Sequence, residues 1–327
     1  MKKLMTTTLL LSSLYSLGHT HRGAISHAPI GVGADHTHKK GEFMMSLRHT
    51  RMKKDQTMRG SDDISNSDYT QMMKLKEMNM TMTMLGAMYG ITDRITMAAM
   101  LSYVTKEMEM TNNMSGMTMK NSARNIADST ITAIYDLAPK TQNTILNAKL
   151  SLSLPTGETD RTNVSGTRLP YGIQLGSGTF DPSLGLTYKK YLSEFEIGTQ
   201  LNYKFSLGEN DEGYSRGDSY SLNLWGAYAF SSKVSSSIRL NYSWMDSIDG
   251  TDKNLTISSN MNTSANPDNY GGKQLDVFIG TNLMFNGEKS TDNRIAFEYG
   301  LPLYQDLNGI GLGMDHKFVI GWQKQLF

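Results

Sequence analysis

The stretch Phe195-Glu-Ile-Gly-Thr-Gln-Leu-Asn-Tyr-Lys-Phe-Ser-Leu207 decides the fold class, because apolar and polar residues alternate through it with a period of two. Its odd positions are mostly apolar, and its even positions are polar or glycine. A period of two places each kind of side chain on one face of a β-strand. The segments from Val234 to Trp244 and from Leu275 to Phe285 alternate in the same way. The pattern therefore predicts strands with one apolar face and one wet face.

Extending this pattern along the chain predicts twelve strands, most of them as long as a tilted strand that crosses the hydrocarbon layer, about 9–11 residues. They are 43–52, 78–90, 95–110, 129–138, 144–155, 179–191, 195–207, 218–230, 234–246, 273–286, 294–305 and 313–327. A soluble β-sandwich also alternates, but its strands are usually only about 5–6 residues long. We therefore predict an all-β fold, a transmembrane antiparallel up-and-down β-barrel of about 12 strands, over residues 43–327.

The connections between these strands alternate in length. The long ones are 53–77, 111–128, 156–178, 208–217 and 247–272, the short ones are 91–94, 139–143, 192–194, 231–233 and 287–293, and 306–312 is intermediate. Bacterial outer-membrane barrels have short periplasmic turns and long extracellular loops. We therefore expect the bacterial outer membrane as the location, with the short turns in the periplasm.

Residues 1–18 have the composition of a secretion signal. Lys2 and Lys3 precede a short apolar stretch that ends near Leu17, and small residues follow at the spacing that a signal peptidase reads. We expect export and a mature chain that begins near His19. Residues 19–42 then form a His-rich N-terminal segment on the periplasmic side, which either occludes the pore or hangs free.

The composition excludes several classes of protein. No window after the signal approaches the run of about 18 apolar residues that a transmembrane helix requires. The chain has no cysteine, which excludes disulfides and thiolate metal sites. Lys plus Arg (32) nearly balances Asp plus Glu (31), so there is no basic footprint for nucleic acid.

Placing the polar phase of each strand inside the barrel puts charges of both signs in the lumen. The predicted lumen-lining residues are Arg48, Lys106, Asp136, Lys149, Glu196, Lys204, Arg239, Asp276, Arg294 and Glu298. Two interpretations are open. In the first, these charges pair across a narrow lumen, because an unpaired buried charge is costly. In the second, their slight positive excess selects anionic or polar solutes.

The sequence offers no catalytic constellation. His316 is the only histidine after the first fifty residues, and no His–Ser or Asp–His grouping falls at matching strand ends. Outer-membrane phospholipases and proteases are the enzymes that such barrels carry. We therefore predict that the protein is not an enzyme and has no resident cofactor.

Methionine and histidine are concentrated in the first part of the chain. Twenty of the 24 methionines precede residue 120, and six of the seven histidines lie between His19 and His49. Thioethers suit Cu(I) or Ag(I), and imidazoles suit Cu(II), zinc or nickel. Candidate metal ligands are His36, His38, Met108, Met110, Met114, Met117 and Met119. Methionine is also a flexible apolar filler, and for Met82, Met84 and Met88 we expect a lipid-facing position instead.

Several loop motifs resemble a known family. They are His27-Ala-Pro-Ile-Gly-Val-Gly-Ala-Asp-His-Thr-His-Lys-Lys-Gly-Glu-Phe43, Leu154-Pro-Thr-Gly-Glu-Thr-Asp160, Leu169-Pro-Tyr-Gly-Ile-Gln-Leu-Gly-Ser-Gly-Thr-Phe-Asp181, Leu207-Gly-Glu-Asn-Asp-Glu-Gly-Tyr214 and Tyr299-Gly-Leu-Pro-Leu-Tyr-Gln-Asp306. They are similar to proteobacterial outer-membrane transporters of the putative phenol-degradation MetA-pathway family. The resemblance implies a barrel, export, and passage of small molecules or metal. Thr37 stands where relatives have methionine between two histidines, a departure from the motif.

We therefore predict a passive outer-membrane channel or transporter for small solutes, in which loop 156–178 folds over the mouth as a constriction. The alternative is a Met- and His-rich surface protein that binds copper or silver ions. Expected partners are outer-membrane lipid, a small solute or metal ion, and no nucleic acid. The terminal Phe327 resembles the end of other outer-membrane barrels and implies recognition by the barrel-assembly machinery.

Overall fold

A computed structural model describes residues 23–65, 68–138, 143–258, 261–286 and 292–326, so the predicted signal at 1–18 lies outside it. The strands are β1 Phe43–Arg59, β2 Asp62–Asp63, β3 Met73–Gly90, β4 Ile95–Asn112, β5 Thr118–Ile126, β6 Ser129–Asp136, β7 Thr144–Leu154, β8 Asp181–Leu192, β9 Phe195–Lys204, β10 Tyr214–Ser215, β11 Ser219–Ala229, β12 Val234–Met245, β13 Asp249–Gly250, β14 Gly272–Asn286, β15 Asp292–Leu307 and β16 Ile310–Gln325. Short 3-10 turns lie at Gly23–Ile25, Thr263–Ala265 and Pro267–Asn269.

Twelve of these strands form a closed antiparallel barrel. The wall runs β1, β3, β4, β6, β7, β8, β9, β11, β12, β14, β15 and β16, each strand bonded to the next. Strand β16 pairs with β1 from Met44 opposite Gln325 to Arg59 opposite Ile310, which closes the sheet. The prediction of an all-β barrel of twelve strands is confirmed. We call the end with the β3–β4 and β8–β9 turns the short-turn end, and the other the long-loop end.

Three strands extend farther toward the long-loop end than the alternation predicts. Strands β1, β3 and β4 run through parts of the predicted loops 53–77 and 111–128, and β5 lies wholly within the second. Strand β4 pairs with β6 near the short-turn end and with β5 beyond it. These extensions carry polar residues on both faces, joined by ion pairs such as Lys76 and Lys120 with Glu109, at 2.6 and 3.1 Å. The few apolar residues of the β1 and β3 extensions, such as Met58 and Leu75, are buried inside the barrel, so these extensions lack the apolar outer face on which the strand prediction depends.

The outer face of the barrel exposes a continuous belt of large apolar side chains. They include Leu47, Leu85, Leu101, Ile131, Leu150, Leu184, Ile197, Leu224, Ile238, Ile279, Leu301 and Ile320, one from each wall strand. Water-soluble proteins rarely expose so much contiguous apolar surface, whereas lipid solvates it. No helix in the described part of the chain has both the length and the hydropathy to cross a membrane.

The methionines of β3 lie on the inner face, which corrects the prediction that Met82, Met84 and Met88 face lipid. Met82 pairs in register with Thr50, and Met84 with Arg48, whose phase of β1 points inward. Leu85 and Tyr89 occupy the outer face instead, with nearly half of each side chain exposed. The prediction failed because methionine alternates with threonine in β3. An apolar side chain does not by itself show whether its face of the strand contacts the lumen or the lipid.

Large inner-face side chains lie across glycines of the neighbouring strand. Trp225 on β11 is paired in register with Gly198 on β9, and a Cβ built on Gly198 would stand 2.1 Å from the indole ring. Phe278 covers Gly300 in the same way, at 2.2 Å. The missing side chain therefore provides the space that each aromatic ring occupies.

Replacing Gly198 by valine is expected to destabilise the barrel by about 1–3 kcal/mol, because the added methyl groups overlap the ring of Trp225. Denaturant unfolding of the purified protein in detergent, followed by tryptophan fluorescence, measures the change. The control is Gly33→Val, since a Cβ at Gly33 meets no atom within 4 Å. Equal stability of the two variants would contradict the packing described.

Candidate solute site in the barrel lumen

Residues 23–42, which we call the plug, lie inside the barrel at its short-turn end. Ala24 N–H donates to the carbonyl of Ser232 at 2.9 Å, and Gly41 N–H donates to the carbonyl of Gly90 at 2.9 Å. Both acceptors lie at the short-turn end of wall strands. Of the two placements that the sequence left open for this segment, occluding the pore or hanging free, the structure has the occluding one.

Apolar side chains of the plug pack into three pockets on the inner wall. Ile25 contacts Tyr191 and Ala227, Ala28 and Val32 pack with Trp225, and Ile30 packs with Ala296 and Val319. Tyr191 therefore faces the lumen. These four apolar residues are each at most 4% exposed, so apolar burial against strands on opposite sides of the barrel holds the plug.

Asp35 anchors the plug to β8. Its Oδ2 accepts hydrogen bonds from the Lys189 ammonium at 2.7 Å and from the N–H of Ala28 at 3.0 Å, and its Oδ1 contacts the His36 ring at 2.8 Å. Burial alone raises the pKa of the Asp35 carboxyl, but the positive charge of Lys189 and the neighbouring His36 outweigh it and hold the pKa well below its usual range. Asp35 is therefore an ionised, fully bonded carboxylate.

A second anchor joins the plug to β12 and β15. Arg239 donates from Nε and Nη2 to the two carboxylate oxygens of Glu298, at 2.8 and 3.0 Å. The same carboxylate accepts the N–H of Gly31 at 2.6 Å, and the Arg294 guanidinium donates to the carbonyl of Ala28 at 2.5 Å. Wall charges thus bind the plug backbone as well as one another.

The loop of residues 155–180 turns into the lumen at the long-loop end. Leu169, Ile173 and Leu175 are buried in one apolar cluster with Leu75 and Met108 of the wall. Lys106 donates from Nζ to the carbonyl of Gln174 at 2.6 Å, and Arg216 donates to the carbonyls of Tyr171, Gln174 and Gly176. The loop is thereby held over the lumen by Lys106 of β4 and by Arg216 of the connection before β11.

A cavity of about 520 Å³ lies in the long-loop half of the lumen, where Gly172 of this loop and residues 269–272 line it. One side is apolar, formed by Leu75 and Met78 of β3, Met108 of β4 and Leu312 of β16, with Tyr270 beside them. The opposite side is mainly polar, formed by Ser151, Ser183, Asn202, Ser219, Ser221, Ser243 and Gln274 of β7 to β14, and Tyr220, Trp244 and Met245 also line it there. The cavity is therefore amphipathic across its width.

The cations of the cavity are lysines on wall strands. Lys54, Lys149, Lys204 and Lys273 line it, and none of its described lining residues is acidic. Lys204 is paired with Asp181 at 2.8 Å. Among the described residues, neither a hydrogen bond nor an ion pair reaches the Nζ of Lys149, which gives the polar side a net positive charge.

The ten predicted lumen-lining residues all occupy inner-face positions. Glu196, Arg239, Arg294 and Glu298 surround the plug, and Glu196 accepts from the indole N–H of Trp225 at 2.6 Å. Lys149 and Lys204 line the cavity, Lys106 binds the loop, and Asp276 accepts from Gln274 at 2.7 Å. Arg48 and Asp136 stand at inward positions of β1 and β6.

The predicted metal ligands fall in two groups, the histidines in the plug and the methionines on β4, β5 and their turn, where Met110 pairs in register with Met119. His36 and His38 belong to the plug, where their rings meet edge to face with centroids 4.9 Å apart. Met108 and Met110 are buried in the apolar cluster. Met114 and Met117 lie in the β4–β5 turn, and Met119 on β5, all largely exposed. Within the described ranges, no three His, Cys, Asp or Glu side chains form a group suited to a metal ion.

Lys189 and Trp225 are functional positions that the sequence reasoning missed. Both are buried against the plug. Lys189 and Lys190 are adjacent, so the sequence alone does not show which of the two lysines points into the lumen. The phase of β8 identifies Lys189 as the inward lysine, because Thr187 and Tyr191, two residues away on either side, are also buried inside the barrel.

A family model described as "Putative MetA-pathway of phenol degradation" matches residues 65–296, which is most of the chain. The chain belongs to this family. The resemblance seen in the loop motifs is thus confirmed for most of the barrel. No curated protein matches the chain.

Solved structures of similar fold are bacterial outer-membrane barrels. An outer membrane channel of Pseudomonas putida F1 has 16% identity, a TM-score of 0.64, and coverage of 90% of this chain and 99% of the other. The CymD monoaromatic hydrocarbon channel has 9% identity and a TM-score of 0.45, with coverages of 88% and 89%. The toluene transporter TodX of P. putida has 10% identity and a TM-score of 0.41, with coverages of 88% and 91%. The protein is an outer-membrane β-barrel.

Proposed function

We propose that this protein is a passive outer-membrane channel for small solutes. The observation that carries the proposal is the cavity of about 520 Å³ inside a closed barrel, beside the inturned loop 155–180, while the plug lies in the short-turn half of the lumen. A cavity of this size is typical of small-molecule sites, about 300–1,000 Å³. The solved structure of similar fold from P. putida F1 is also described as an outer membrane channel, which supports the proposal.

The route that we propose runs along the barrel axis. The long loops face the outside of the cell and the short turns face the periplasm, as in other outer-membrane barrels. A solute enters beside loop 155–180, rests in the cavity, and leaves when the plug shifts. No step requires a catalytic group or a cofactor, and the assembly machinery and membrane lipid are the partners that such a barrel needs.

Soft-metal handling, the other function that the sequence suggested, stays a prediction. Its buried candidates, Met108 and Met110, pack against Leu75 and Val104 as apolar side chains do.

Liposome swelling with purified, folded protein tests the proposed function. With arabinose as the solute, liposomes that contain the protein are expected to swell faster than empty liposomes prepared in the same detergent. Protein that was heat-denatured before reconstitution is the control. Swelling no faster than that of empty liposomes would refute the channel.

A further inference from the structure

The polar side of the lumen cavity contains an ammonium group, that of Lys149, which makes no direct ion pair with any described residue. Lys149 on β7 pairs in register with Gly185 on β8, and a Cβ built on Gly185 would stand 2.5 Å from the Cε of Lys149. The lysine side chain therefore lies across a strand that has no side chain there. It reaches toward Asn202 of β9, whose Oδ1 is 2.7 Å from the same built Cβ.

Two polar atoms at this point lack partners. No hydrogen bond or ion pair to Lys149 Nζ is present in the described ranges, and Asn202 Oδ1 is buried without a hydrogen-bond partner. Two carboxylates on this side of the lumen are already engaged, Asp181 by Lys204 and Asp35 by Lys189, at 2.8 and 2.7 Å. A buried ammonium and a buried carbonyl oxygen are both costly to leave unpaired.

The opposite side of the cavity offers apolar contact. Met78 and Met108 are paired across β3 and β4, and both line the cavity with Leu75 and Tyr270. Methionine side chains adapt to different shapes and make favourable contacts with aromatic rings. The cavity thus provides a positive group on one side and a flexible apolar surface on the other.

We infer that this cavity binds small amphipathic carboxylates, such as aromatic acids, with the carboxylate on Lys149 and the apolar body against Met78 and Met108. The inference rests on the proposed function, because it names the class of solute that the channel holds. The seryl hydroxyls beside Lys149 supply further donors to the carboxylate. A neutral solute of the same shape gains the apolar contacts only.

Equilibrium binding to the purified barrel in detergent tests the inference, with benzoate and benzyl alcohol as probes in isothermal titration calorimetry. Benzoate is expected to bind at least about tenfold more tightly than benzyl alcohol, which corresponds to one charge-assisted hydrogen bond. In Lys149→Met, which keeps the length of the side chain, benzoate binding falls by about tenfold or more and benzyl alcohol binding does not change. Lys190→Met, on the outer face, is the matched control.

Two results would overturn the inference. One is equal affinity of the wild-type protein for both probes, which needs no variant and therefore holds even if Lys149→Met fails to fold. The other is unchanged benzoate affinity in folded Lys149→Met. Arabinose swelling is measured on the same preparations. Swelling without selective benzoate binding would refute this inference alone. Absence of swelling would refute the proposed channel function.

Discussion

Deleting residues 23–38 is expected to raise the single-channel conductance of the barrel severalfold. The deleted residues include Ile25, Ala28, Ile30 and Val32, whose side chains fill the short-turn half of the lumen, and Asp35, which binds Lys189. The wall strands pair with one another independently of the plug, so the barrel can close without it. Planar-bilayer recording of the purified variant beside the wild-type protein measures the change.

The control for this deletion is a variant that keeps the plug but weakens one anchor. Asp35→Ala leaves the apolar contacts of the plug in place and removes the acceptor of Lys189 and of the Ala28 N–H. Brief openings at the conductance of the deletion variant are expected. If a folded deletion variant, identified by its heat-modifiable migration in gels, conducts no better than the wild type, the plug is not the barrier.

Glu298→Ala is expected to destabilise the folded barrel by about 3–5 kcal/mol, because it leaves the buried guanidinium of Arg239 without its counter-charge. The carboxylate accepts two hydrogen bonds from Arg239 and one from the N–H of Gly31. Arg239 also lies over the ring of Phe278, with 3.9 Å between Cζ and the ring centroid, and cannot leave for water without breaking that contact. Urea unfolding in detergent measures the loss.

Removing both charges is the informative companion to this variant. The double variant Arg239→Met and Glu298→Ala has no uncompensated charge, and we expect it to recover part of the stability lost in Glu298→Ala. Glu194→Ala, in the exposed β8–β9 turn, controls for the loss of a carboxylate as such. A Glu298→Ala barrel as stable as the Glu194→Ala barrel would show that the pair contributes nothing.

The wall of the barrel was predictable because each membrane-crossing strand must present an apolar face to lipid. Strands β9, β12 and β14 alternate cleanly, and their observed ends lie within a few residues of the predicted ones. The last strand also closes the barrel, although Gln323 and Gln325 share the phase of the terminal Phe327. Gln323 points inward and accepts from Arg294 at 2.5 Å, so the lumen requires the polar residue.

The phase of β3 was not predictable, for a physical reason. The lumen wall of β3 is itself apolar, since Met78, Met80 and Met82 pack against the buried cluster that includes loop 155–180. Alternation separates two faces but does not say which one faces lipid when the lumen contains apolar material. The same limit applies wherever a loop or plug fills a barrel.

The plug contacts were hidden for a different reason. Its anchors are largely backbone atoms, among them the N–H of Gly31 and the carbonyls of Ala28 and Gly33. Every residue carries such groups, so no residue type marks them in the sequence. What the sequence did indicate is the set of wall charges that bind them, because Arg239, Arg294 and Glu298 follow the inward phase of their strands.

The central claim is that solutes pass along the lumen and that the plug must move for them to pass. The chain contains no cysteine, so a pair introduced by Ile30→Cys and Ala296→Cys, at side chains that pack together, can lock the plug to β15 by oxidation. Arabinose swelling of liposomes with the oxidised variant is predicted to fall to the rate of empty liposomes and to recover when a reductant is added. Swelling at the wild-type rate with the plug locked would contradict the account.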